Sequence, residues 1–166
     1  MIFMSTYSLS HLSDSVLLRD TVDLVAKDRT TTAVLLAHVA EVDARRLYLP
    51  AAYPSMYAYC TQELRMSEDS AYKRIQAART ARRFPRIFAA IADGRLHLSA
   101  VVTLAPHLTE TTADELLAAA ERRTRSEIEG LIAERFPKPD LPTLLQATAL
   151  CGFTRDSRPT RPGASS

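Results

Sequence analysis

The chain has 166 residues, of which 46% are hydrophobic and 24% charged, with a formal net charge of +2. That length suits one domain able to bury its core without disulfides or a structural metal, and the near-neutral charge by itself argues for no partner. No apolar run approaches the roughly 20 residues needed to span a bilayer, and no basic stretch precedes an apolar one at Met1–Leu12. A cytoplasmic protein with no membrane partner is expected. With only 4 glycines and no tryptophan, against many Ala, Leu, Arg and Glu, the composition favours helix. Cys60 and Cys151 stand far apart and are expected as reduced thiols.

Residues 1–12 read as a flexible start. From Ser13 to Pro137 helix start and stop signals follow one another, so the expectation is an all-α bundle of about seven or eight short helices. A first helix is expected near Ser13–Lys27, with Val16, Leu17 and Leu24 at helical spacing. A second would open at Thr31 or Thr32 and run to about Leu47, carrying Val34, Leu35, His38, Val39 and Val42 on one face. Pro50 and Pro54 bracket a loop, and Ser55 caps a short helix through Leu64. Ser67 is the next cap, with Glu68 and Asp69 in the first turn, where the helix dipole favours acids. That fourth helix should reach Arg83, because Pro85 cannot continue it.

Pro85 also suits the first turn of a helix closing at Gly94. A short apolar segment, Leu98–Leu104, ends at Pro106. Thr112 with Glu115 and Thr124 with Glu127 have capping-box spacing and announce helices over 112–123 and 125–136. Beyond Pro137 the prolines 139, 142, 159 and 162 predict a linker or disordered tail over 138–166, with one weak helix at Thr143–Leu150.

The densest functional signal is Ser55–Arg83. Thr61, Leu64, Arg65, Met66, Ser67, Ala71 and Ile75 follow helix-turn-helix spacing, with Arg65 where the turn usually has Gly. Two readings fit: a DNA-reading helix-turn-helix, or a structural αα-hairpin. Between Ser70 and Ala92 lie six bases and no acid: Lys73, Arg74, Arg79, Arg82, Arg83 and Arg86. At about 100° per residue, Arg79, Arg82 and Arg83 fall within about 100° of arc, with Ala77, Ala81 and Phe84 opposite and Ala71 and Ala78 at one edge. Such a stripe neutralises phosphates, although a solvated helix face looks the same. The six bases are therefore the candidate phosphate contacts on double-stranded DNA. Ser67 is the candidate cap of the recognition-like helix, and Tyr72 a candidate contact to a base or sugar.

His11, His38, His97 and His107 are scattered, with no second metal ligand at useful spacing. His38 reads as a core or boundary residue, and His97 and His107 as caps. Tyr48, Tyr53, Tyr57 and Tyr59 read as packing residues with hydroxyls at the surface. No glycine-rich phosphate loop, Cys-x-x-Cys pair or Gly-x-Ser-x-Gly elbow occurs. No catalytic residue, metal, cofactor or small-molecule substrate is expected.

The segments LLAHVAEVDARRLYLP (35–50), SMYAYCTQELRMSEDSAYKRIQAARTARR (55–83), ADGRLHLSAVVTLAPHL (92–108) and ELLAAAERRTRSEIEGLIAE (115–134) together resemble bacterial HNH endonuclease-type proteins with a long helical N-terminal domain. The resemblance covers about residues 33–139. It implies a helical region followed by a proline-rich linker and an HNH nuclease. That nuclease would supply a His general base, an Asn that orients it and a His on the metal. This sequence has no Asn, no His after His107 and about 29 residues beyond Pro137. The HNH module is therefore expected to be missing, as in a truncated member, an N-terminal fragment or a helical module acting alone. The tail from Ala147 would also suit a frameshifted end. Residues 85–134 more faintly resemble the helical region of ParB-type partition proteins, through Asp93-Gly94-Arg95-Leu96-His97-Leu98-Ser99. The function this implies is DNA binding or positioning. Its rival is a helical protein-interaction or dimerisation module, or a truncated remnant without function, with homodimerisation an open expectation.

Overall fold

The computed structural model describes residues 7–137. The expectations for residues 1–6, and for the tail with its weak helix and Cys151, lie outside that range. Among the described residues every regular element is helical: α1 (Asp14–Arg45), α2 (Met56–Ala58), α3 (Glu68–Arg83), α4 (Arg86–Ala92), α5 (Leu98–Leu104), α6 (Ala113–Ala120) and α7 (Arg125–Arg135). A π-helical turn, Tyr59–Glu63, prolongs α2, and a 3₁₀ turn, Ala105–His107, prolongs α5. None of these helices is long and apolar enough to cross a membrane.

The expected all-α architecture is present, with one correction at its start. The two helices expected over 13–27 and 31–47 are a single helix of 32 residues. The polar run Lys27–Thr32 contains neither Gly nor Pro, and threonine costs a helix only a few tenths of a kcal/mol. Thr30 does not cap. Its hydroxyl donates to the Ala26 carbonyl one turn back at 3.1 Å, as Thr21 donates to Leu17 at 2.7 Å. The helix ends where Arg46 turns left-handed at φ 52° and its N–H donates to the Val42 and Asp43 carbonyls.

The boundaries at Pro85 and Thr124 follow the punctuation closely, whereas α6 ends at Ala120, short of the expected 123. Pro85 stands immediately before α4, and α3 stops at Arg83. The Thr124–Glu127 capping box forms, with the Thr124 N–H donating to Glu127 Oε2 at 2.6 Å. The Thr112–Glu115 box does not. Thr112 has near-helical dihedrals and its hydroxyl donates to the His107 carbonyl at 2.9 Å, while Glu115 reaches Arg135 at 2.7 Å. Proximity to α7 wins over the local cap. His38 is exposed rather than in the core, its ring Nδ1 2.8 Å from the Val34 carbonyl. His97 occupies the cap position of α5 without a side-chain cap bond, and His107 stacks on Phe136 with centroids 4.9 Å apart.

The core joins Leu36, Val39 and Ala40 of α1 to Met56, Cys60, Ala71, Ile75, Ala78 and Ala81, and then to Ile87, Val101, Leu104, Leu116 and Ile128. Small side chains dominate the inner faces of α3. Four buried alanines (Ala71, Ala77, Ala78, Ala81) let its neighbours approach the backbone closely. Cys60 is fully buried, and that burial pushes its thiol above the ordinary value, so it behaves as a small core hydrophobe.

Candidate nucleic-acid interface

The hairpin before α3 is built by backbone geometry. Ser55 caps α2 by accepting from the Ala58 N–H at 3.0 Å. The π turn is closed by the Leu64 N–H on the Tyr59 carbonyl at 3.1 Å, and the Met66 N–H reaches the Cys60 carbonyl at 3.0 Å. Arg65 takes the left-handed conformation, φ 51°, at the position where helix-turn-helix turns usually carry glycine. The left-handed backbone is present although the residue is not glycine. Ser67 then accepts from the Ser70 N–H at 3.3 Å, the expected cap.

From this start α3 divides cleanly. Ala71, Ile75, Ala77, Ala78, Thr80 and Ala81 are buried, while Tyr72, Arg79 and Arg83 are exposed and Gln76 is half-buried. Tyr72, Gln76, Arg79 and Arg83 recur at spacings of four, three and four. They therefore share one outward row within about 60° of arc.

The six bases have different surroundings. Arg79 forks onto Asp43 of α1, its Nε and Nη2 donating at 2.7 and 3.1 Å. Asp43 is only 15% exposed while Arg79 is 54% exposed, so the guanidinium shields the carboxylate from water. The hydrogen bond to Asp43 raises the Arg79 pKa further. Arg82 donates to Glu41 at 3.0 Å and to the Ala40 carbonyl at 3.3 Å. Glu41 is held below the ordinary carboxylate value, first by Arg45 and then by Arg82. Arg86 pairs with Asp114 of α6, and Lys73 with Asp69 one turn back at 2.7 Å.

Arg83 has no carboxylate within ion-pair distance among the described residues, and its guanidinium lies 5.3 Å from the centroid of the Phe84 ring. Arg74 also lacks a carboxylate partner there. It bonds Ser70, its Nε is buried without a partner, and it lines a cleft of about 270 Å³ with Asp28, Arg29 and His97. The structure thus brings Tyr72, Arg79 and Arg83 onto one face and turns Arg74 and Arg86 elsewhere.

Sequence reasoning missed the counter-charges. Asp43 lies on the core-facing stripe of α1, and an acid on a buried face announces a basic partner. That signal was present in the sequence but did not say which arginine would answer it. Among the described residues no group of three or more His, Cys, Asp or Glu side chains is placed to hold a metal ion.

No protein-family profile, curated protein or solved structure matches the chain.

Proposed function

We propose that this chain is a double-stranded-DNA-binding helical module of the HNH endonuclease type, acting in the cytoplasm without a catalytic site of its own. The observation that carries this reading is the outward row Tyr72, Gln76, Arg79 and Arg83 on the second helix of a tight, capped hairpin. Gln presents the donor and acceptor pair that reads an adenine edge, Tyr72 reaches base or sugar, and Arg83 meets a phosphate. Arg79 and Arg82 serve first as clamps that fix α3 on α1 and contribute to the field second.

The experiment is fluorescence anisotropy of labelled duplex DNA over a series of salt concentrations, with wild type, Arg83→Ala and Tyr72→Ala. The reading expects affinity to fall steeply with salt, and Arg83→Ala to lower the log–log slope by about 0.9, one phosphate contact. Tyr72→Ala should weaken binding without changing that slope. A folded wild type that leaves duplex DNA free at low salt sinks the reading and leaves a protein-interaction module. Metal-dependent cleavage of the duplex would overturn the non-catalytic part.

A further inference from the structure

Residues 14–31 of α1 stand largely clear of the body of the protein, with Asp28 and Arg29 bordering the cleft beside Arg74. Residues 21–31 are all exposed, and between 14 and 20 only Val16 and Asp20 are half-buried. This arm is about 27 Å long at 1.5 Å per residue. It is not a polar spacer. Leu18, Val22 and Val25 are 70%, 68% and 44% exposed, whereas Leu36, Val39 and Ala40 on the same helix are 0%, 3% and 5% exposed.

These two sets share one face. Leu18, Val22, Val25, Arg29, Thr32, Leu36, Val39 and Asp43 are separated by four and three residues in unbroken alternation. That alternation is the a/d seam of a packed helix pair. Its C-terminal half is packed against α3 and α4, while Leu18, Val22 and Val25 in its N-terminal half stand exposed. An unsupported helix of this length is marginal in water, and an apolar seam along it marks an interaction surface.

The charge on the arm decides the class of partner. Asp14, Asp20, Asp23 and Asp28 outnumber Arg19, Lys27 and Arg29, so neither a phosphate backbone nor an anionic lipid surface suits it. The signs are also graded. The first ten residues carry three acids and one base, and the last eight carry two bases and one acid. An antiparallel copy of the same arm sets the acidic half against the basic half, while a parallel copy stacks like on like. We infer that two copies of this chain pair through the Leu18–Val22–Val25 seam of α1, arm against arm and antiparallel.

The inference does not rest on DNA binding, and its test uses no DNA. Sedimentation velocity on the full chain at tens of micromolar should give twice the chain mass. The Leu18→Glu/Val22→Glu/Val25→Glu variant should sediment as a monomer, with dimerisation weakened at least a hundredfold. Its near-ultraviolet circular dichroism should keep the wild-type signal, because the core begins beyond the substituted residues. Spin labels at Ser15→Cys in a Cys151→Ser chain should lie roughly 20–25 Å apart in the dimer, against about 10 Å for parallel arms. A monomeric wild type, or a dimer that the triple variant leaves intact, overturns the pairing. The shorter label distance overturns the antiparallel arrangement. A monomer whose arm amides resist hydrogen exchange would show that the chain's own tail covers the seam, and would overturn the proposal equally.

Discussion

Arg65 carries a side chain where the backbone favours none. An L-residue in the left-handed region costs roughly 1–2 kcal/mol, part of which glycine returns through its greater freedom when unfolded. Arg65→Gly should therefore stabilise the protein by roughly 0.5–1 kcal/mol in urea unfolding. Arg65→Ala should not, since alanine meets the same φ of 51°. A residue-scale effect of opposite kind sits at the start of α7. The Glu127 carboxylate accepts from the Thr124 N–H and hydroxyl, and that first interaction holds it below its ordinary 4.5. A depressed carboxylate contributes stability that is complete above 4.5 and lost as pH falls through the lowered folded value. The difference in melting temperature between wild type and Glu127→Gln should accordingly be largest near neutral pH and close below that value. A difference independent of pH would show that the carboxylate's charge contributes nothing. Such local chemistry was legible in advance: the Thr124 box and the Ser67 and Ser55 caps are short-range patterns that no tertiary partner diverts.

At the scale of elements, legibility depended on whether a boundary was enforced or merely permitted. Pro85 enforces one, and both neighbouring helices obey it. The threonines at 30–32 only permit one, and the helix that buries Leu36 and Val39 runs on unbroken from the exposed helix before it. The Thr112–Glu115 spacing failed because a tertiary partner, Arg135, was closer to hand for the glutamate. The arginine stripe was visible as a periodicity, but Asp43 and Glu41 on another helix give Arg79 and Arg82 their roles, and periodicity within α3 cannot show that. The two clamps should differ in strength. Removing Arg79 strands a carboxylate that is mostly buried, whereas Glu41 keeps both its solvent and Arg45. A double-mutant cycle on Arg79→Met and Asp43→Asn should give a coupling of about 1 kcal/mol, modest because the guanidinium is half in water. The parallel cycle on Arg82 and Glu41 should give much less. Equal couplings would mean that burial of Asp43 does not set the strength of the clamp.

For the whole molecule the governing proportion is between one helix and everything else. A compact chain of the 131 described residues would have a radius of gyration of about 14 Å, while α1 alone runs about 48 Å from end to end. Where it leaves the body, Arg29 borders the cleft beside Arg74 and lies close against Gly94. Gly94, at φ 73°, lies so near the Arg29 guanidinium that any Cβ there would stand 2.6 Å from Arg29 Nη1. A helix of that length multiplies small angles. Tilting α1 by 10° at Arg29 would swing Asp14 by about 4 Å, given roughly 22 Å of helix between them. Were two copies paired arm to arm, the same tilt in each would turn one body against the other through about twice that angle. A tilt of that size within the core would thus be read out, at the far end of α1, as a displacement of several ångströms.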